Sequence, residues 1–267
     1  MSDTGGRDDV LLDIAGGIAR IRLNRPAASN AVDAALLRRL HEVALACHAD
    51  PSVRVVVLSG EGRNFCAGGD VKTFLSKGEG LPDYLREATA WLQLATAALI
   101  QLKAPVIAQV HGFAAGGAGF GLVCAADLVV AGEGARFFSG AVRVGMAPDA
   151  GTTVTLSRIV GLRRALDILL TNPTLSAQEA LGLGIVSRVV PDDELAASVD
   201  ALAADLAAQP PLGLAATKRL VWDGLGSTVA ARLPEEARVV SELSGTADSL
   251  EALAAVIERR PGVYEGR

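Results

Sequence analysis

Two glycine-rich stretches hold the residues whose types and spacing could do chemistry. The first is Asn64-Phe65-Cys66-Ala67-Gly68-Gly69-Asp70-Val71-Lys72. The second is His111-Gly112-Phe113-Ala114-Ala115-Gly116-Gly117-Ala118-Gly119-Phe120-Gly121. Missing side chains let backbone N–H groups approach a ligand closely. A helix that starts after such a loop adds unpaired N–H donors and a positive dipole end. Two such ends facing one another would bind a single oxygen and stabilise negative charge on it. The same glycines would also serve tight turns and close helix packing, so either loop alone leaves both readings open.

Other chemistries fit less well. There is no GxxxxGK[ST], Gly117-x-Gly119-x-Gly121 is not the dinucleotide GxGxxG, and no GxSxG elbow occurs. His41 and His48 fall on an expected surface helix and His111 stands alone, so packing or solvent roles are expected for them. Cys47, Cys66 and Cys124 are widely spaced and odd in number, which argues against a disulfide framework and a structural zinc site.

The elements that must position the loops follow from hydrophobic pattern. Val10–Ile14 and Ile18–Leu23 read as a hairpin around Ala15-Gly16-Gly17. Asp33 is placed to cap a helix carrying Leu36, Leu37, Leu40, Val43 and Ala44 on one face. The β-branched run Val53–Leu58 predicts a buried strand before the first glycine loop. A long helix is expected over Leu81–Leu102, and Pro105 ends it before a strand at Val106–Val110 leads into the second glycine loop. An apolar helix ending near Ala126, strands at Leu128–Val130 and Ala135–Phe138, and a strand-like Ile185–Val190 follow. Thr152–Val160, Arg163–Leu170, Ala177–Leu183, Leu195–Gln209 and Ala247–Arg259 read as helices. Strands alternating with helices indicate α/β architecture, and the last third reads as a helical layer.

The 267 residues suffice for a sizeable core. Half are apolar and the net charge is −5, which excludes a disordered chain. An acidic balance without a dense Lys/Arg block argues against nucleic-acid binding. The most apolar window, Gly112–Ala126, has fifteen residues and is too short to span a bilayer. MSDTGGRDDVLLD has no basic stretch leading into an apolar one, so a cytoplasmic protein with no membrane partner is expected, and residues 1–8 are expected to fray.

In order and spacing the two loops resemble the enoyl-CoA hydratase/isomerase (crotonase) family. Leu23-Asn24-Arg25-Pro26 with Asn30-Ala31 resembles its opening motif, and Phe65–Lys72 its first oxyanion loop. His111–Asp127 with Leu128–Ala131 resembles its second loop, helix and strand, and Val144–Thr152 the loop after that. Ala180–Val186 and the stretch from Thr246-Ala247-Asp248 to Arg260-Pro261 extend the likeness to nearly the whole chain. The resemblance implies a crotonase-like ββα spiral: an acyl-CoA-binding core over 1–195 and a C-terminal helical region over 196–267 that forms trimers or pairs of trimers.

It also implies an acyl-CoA thioester substrate whose carbonyl oxygen takes one backbone N–H from each loop. The first donor maps to Gly69. The second maps to Gly117 counting from Gly112, or to Ala118 counting back from Asp127. Coenzyme A, part of the substrate rather than a separate cofactor, would lie near Ala28, Ala67, Asp70 and Val71, with Lys72 and Lys218 as phosphate contacts or solvated lysines. Removing a proton beside the thioester creates an enolate, and each donor aimed at its oxygen is worth about 3–4 kcal/mol.

The two glutamates of family hydratases would stand at Gly121 or Phe120 and at Ala141, where this chain has no acid. Asp149 remains, at a place where some family isomerases carry a functional aspartate. Among Val144, Met146, Ala147 and Ala150 it would be partly desolvated, with a raised pKa that suits a base. It could instead cap a helix over 150–160. Three functions follow: an enoyl-CoA isomerase using Asp149, a hydratase with atypical acids, and an acyl-CoA-binding protein without catalysis.

Overall fold

The structure, a computed structural model, describes residues 8–267, so nearly all of the polar start expected to fray lies outside the described residues. The expected hairpin forms as β1 (Val10–Ala15) and β2 (Ile18–Leu23), antiparallel, with Gly16 and Gly17 at positive φ in the turn. Four parallel strands continue the sheet: β3 (Val55–Gly60), β4 (Val106–Val110), β6 (Leu128–Gly132) and β9 (Arg188–Val190). Their order is β1-β2-β3-β4-β6-β9. A smaller sheet joins β5 (Phe113–Ala115), β7 (Arg136–Phe138) and β8 (Leu175–Ser176).

Both faces of the large sheet are covered, as continuous apolar strands require. On one side lie α1 (Ala34–Ala49), whose Leu36, Leu40 and Val43 are buried, and α3 (Leu81–Gln101). Asp33 caps α1 as expected, accepting from the Leu36 amide at 2.9 Å. The opposite face, with Val55, Val57, Ile107 and Val130, is covered by α8 (Leu195–Ala207) through Leu195, Val199 and Leu202. Thus α8, although on the C-terminal side of the expected boundary, covers the sheet of the core. Beyond it come α9 (Pro211–Gly224), α10 (Val229–Ser244) and α11 (Ala247–Glu258). The remaining α-helices among the described residues are α2 (Val71–Ser76), α4 (Gly116–Ala125), α5 (Thr152–Val160), α6 (Leu162–Thr171) and α7 (Ala177–Gly182).

Four sequence readings need correction. The second glycine loop is not all turn: Phe113–Ala115 pairs with Arg136–Phe138 as a strand. Helices α9 and α10, absent from the sequence reading, fill the stretch before α11. Asp149 caps no helix, because Ala150 and Gly151 take left-handed conformations and α5 starts only at Thr152. Lys218, read as a phosphate contact or a solvated lysine, is not solvated. It is buried, paired with Asp127 at 2.7 Å, and bonded to the carbonyls of Leu99 and Ala104. The Asp127 carboxylate also accepts from the Trp222 indole and the Val106 amide, both at 2.7 Å. This network ties α9 to the start of β4.

Candidate active site

Each glycine loop leaves the end of a parallel strand, and the two are stitched together. The Cys66 amide donates to Phe113 O at 3.0 Å, and the Ala115 amide donates to Cys66 O at 2.8 Å. The next residues therefore run side by side. A Cβ on Gly68 would meet Ala115 O and the Gly116 Cα at 2.8 Å, and Gly68 also needs its φ of +92°. A Cβ on Gly116 would stand 3.5 Å from the Gly69 nitrogen. Only glycines permit backbones this close.

The amides around Gly69 show which way its N–H points. Val32 N donates to Gly68 O at 2.8 Å, and Asp70 N donates to Val32 O at 3.0 Å. Gly69 lies between them in this parallel bridge, so its own N–H faces away from Val32. Across from it α4 begins, and Gly116, Gly117 and Ala118 form the first turn, where helix amides have no intrahelical acceptor. Gly69, Gly117 and Ala118 all line one cavity of about 430 Å³.

The cavity walls are mostly apolar, with Thr89 and Arg143 also in the lining. Leu85, Ala88 and Leu92 of α3 form one side, with Phe74 of α2, while Phe138, Val144 and Met146 form the other. Asp149 is the one carboxylate among the described residues of the lining. Its Oδ1 is buried without a hydrogen-bond partner among the described residues. A Cβ on Gly117 would fall 1.5 Å from that oxygen, so the carboxylate packs directly on the first turn of α4. Desolvation raises the Asp149 pKa above its ordinary value of 3.8, against a smaller opposing effect of its own backbone N–H.

The remaining residues expected at the site divide into two groups. Ala67 and Val71 line the cavity. Ala28 ends a 3-10 turn over Pro26–Ala28, and the next residue, Ser29, accepts from the Ala67 amide at 3.0 Å. Asp70 uses Oδ1 to cap α2 through Thr73 N at 3.1 Å and Oδ2 to pair with Arg25 at 3.1 Å. Burial opposes its charge, but the Thr73 amide and Arg25 outweigh that effect and hold its pKa below 3.8. Lys72 is exposed at the start of α2, outside the lining. Lys218 lines a different cavity, between α5 and α9. Residues that the sequence reading did not assign to the site include Phe74, Leu85, Leu92, Phe138 and Arg143. The helical period of α3 points Leu85, Ala88 and Leu92 to one side, which was the available signal.

The model of the enoyl-CoA hydratase/isomerase family matches residues 13–267. The chain belongs to this family. A probable enoyl-CoA hydratase from Rhodobacter capsulatus is 39% identical over 256 residues, covering 96% of this chain and 97% of the relative. The 2,3-dehydroadipyl-CoA hydratase of Escherichia coli is 34% identical, covering 92% of this chain and 94% of its own length. The crystal structure of an enoyl-CoA hydratase from Bacillus anthracis superposes with a TM-score of 0.92 at 30% identity, covering 97% of this chain and all of that one. The expected crotonase-type α/β fold with its C-terminal helices is thus the fold of this enoyl-CoA hydratase/isomerase family enzyme. Among its described residues no helix is long and apolar enough to cross a membrane.

None of the positions at which the resemblance placed hydratase glutamates carries an acid, and one of them is crowded. A side chain on Gly121 would start 2.6 Å from the Ala150 Cβ and 2.9 Å from Thr152 Oγ1. Phe120 and Ala141 are themselves buried apolar residues.

Proposed function

We propose that this enzyme moves the double bond of an enoyl-CoA, with Asp149 as the single acid–base. The observation that carries this reading is the buried, unpartnered Asp149 Oδ1 packed on the first turn of α4. The thioester oxygen takes the Gly69 amide and a first-turn amide of α4. Gly117 is the preferred second donor over Ala118, because it follows directly on Gly116, which abuts the Gly69 nitrogen. With a 3-enoyl-CoA, the Asp149 carboxylate removes a proton from C2 and the charge moves onto the thioester oxygen. The carboxylic acid then returns a proton to C4, and the double bond ends in conjugation. A carboxylate with a raised pKa is the better base, and apolar walls strengthen the donors' hold on the oxygen. The proposed chemistry uses no separate cofactor; coenzyme A arrives with the substrate.

The names of the relatives favour a second reading, hydration of a 2-enoyl-CoA. A panel of acyl-CoA thioesters in D₂O, read by mass spectrometry, separates the two. Deuterium uptake without gain of water, abolished in Asp149→Asn, is the expected result. Gain of water by crotonyl-CoA, or unchanged turnover in Asp149→Asn, would refute the isomerase reading.

The assembly is proposed to be a homotrimer or hexamer in the cytoplasm. Support comes from the exposed apolar residues Val229, Leu233 and Val240 on α10 and Leu253, Val256 and Ile257 on α11. Faces of this kind favour burial against another subunit.

A further inference from the structure

We infer that Arg25 is a positioning residue, which fixes the direction of the Gly69 amide through Asp33, Asp70 and Ala31. This inference rests on the two-amide reading above. The Arg25 side chain is only 10% exposed, so its three contacts hold it with little help from water. Nη1 donates to Ala31 O at 2.5 Å and pairs with Asp33 at 3.3 Å, while Nη2 donates to Asp70 Oδ2 at 3.1 Å. Both aspartates are used in the same way. Asp33 caps α1 with Oδ1 and Asp70 caps α2 with Oδ1, which leaves each Oδ2 for the guanidinium.

Arg25 thereby grips both chains of the Val32–Gly69 bridge, at Ala31 and Asp33 on one side and at Asp70 on the other. A planar fork held at three points resists rotation of the peptide between Gly69 and its neighbours. On the far side, the Phe74 ring occupies the space a Cβ on Gly69 would need, with Cζ 2.5 Å from that point. The Gly69 residue is therefore bordered by the aromatic ring as well as flanked by the residues of the clamp. Arg25 itself is outside the cavity lining, so it acts through the residues it holds rather than by bordering the cavity.

The test is the carbonyl stretch of butyryl-CoA carrying ¹³C at the thioester carbon, measured by infrared difference spectroscopy when bound, together with kcat and the dissociation constant. Wild-type protein is expected to lower the frequency relative to free ligand. Arg25→Met is expected to lose most of that shift and to lower kcat about 10²-fold, the loss typical of a misplaced catalytic group, with little change in affinity. Arg25→Lys, a single point charge, is expected to fall between them. If Arg25→Met does not fold, Asp70→Asn removes one arm of the clamp and is expected to give a partial loss of the shift. A wild-type shift and kcat in folded Arg25→Met, or in Asp70→Asn, would overturn the inference, as would a wild-type protein that leaves the carbonyl unshifted. A shift that depends on Arg25 in a protein that moves no double bond would support the clamp and refute the proposed reaction instead.

Discussion

Replacing Gly117 with Ala tests the juxtaposition on which the acid–base assignment depends. The new Cβ would lie 1.5 Å from Asp149 Oδ1 and 2.6 Å from its Cγ. To restore an ordinary contact of 3.4 Å the carboxylate must retreat by about 1.9 Å. A misplacement of about 1 Å already costs about 10² in rate, so kcat should fall at least that far, or about 2.7 kcal/mol. The backbone amide of residue 117 remains, so affinity for saturated butyryl-CoA should change little. The assay follows appearance of the conjugated thioester from a 3-enoyl-CoA, with calorimetric binding of butyryl-CoA alongside. Stability supplies an internal control. In an Asp149→Ala background the obstructing oxygen is gone, and Gly117→Ala should stabilise α4 by up to about 1 kcal/mol of helix propensity. In the parent it should destabilise. A Gly117→Ala enzyme with wild-type kcat would refute both the contact and the role assigned to Asp149.

Gly68→Ala should uncouple the two loops, since a φ of +92° and backbone atoms 2.8 Å from the new Cβ both oppose it; strain alone costs about 1–3 kcal/mol, read as a fall in Tm with loss of turnover. Lys218→Met should lower stability in urea titration, because it removes the cation from half-buried Asp127 while the Trp222 and Val106 hydrogen bonds remain, and should leave KM for acyl-CoA unchanged; a raised KM in folded protein would support the phosphate-contact reading. Asp149→Asn should be more stable than the parent at pH 7. The raised folded pKa makes the parent lose stability as pH rises through it, and the difference should vanish below the ordinary 3.8; equal stability at pH 7 would contradict the desolvated carboxylate.

The parts of this fold that were legible in the sequence are those set by local pattern. The β-branched run Val53–Leu58 and the Asp33 cap each dictate one element with little outside help. The strand Phe113–Ala115 was hidden because three residues among glycines become a strand only when Cys66 and the Arg136–Phe138 strand supply its partners. The helix Thr152–Val160 was legible, but the alternative cap at Asp149 fails because left-handed Ala150 and Gly151 hold off the helix, and an L-residue at positive φ leaves no pattern in sequence. Helix α10 was obscured by Pro234 in its interior. Lys218 looked solvated because its partner, Asp127, is 91 residues away, too far for any local pattern to join them. At the site, both glycine loops and Asp149 were readable. The cavity walls were not, because periodicity shows which face of α3 turns inward but not that the inward face borders an opening.

One missing side chain lets a carboxylate reach the first turn of α4. At Gly117 the absent Cβ does two things at once: it admits Asp149 against the helix and leaves the first turn open to a ligand oxygen. Ala150 is buried against Gly121, and Thr152 puts its buried hydroxyl beside the same glycine. The segment that brings Asp149 in therefore fills the space that a glutamate at 121 would occupy. Entry of one carboxylate and exclusion of the other are two consequences of the same packing between residues 149–152 and α4. A change at Gly121 alone would not install a second acid, because the left-handed turn at Ala150 and Gly151 that closes this space also aims Asp149. An acid at position 121 would require that turn to be rebuilt, whereas proton transfer by Asp149 requires only that it stay where it is.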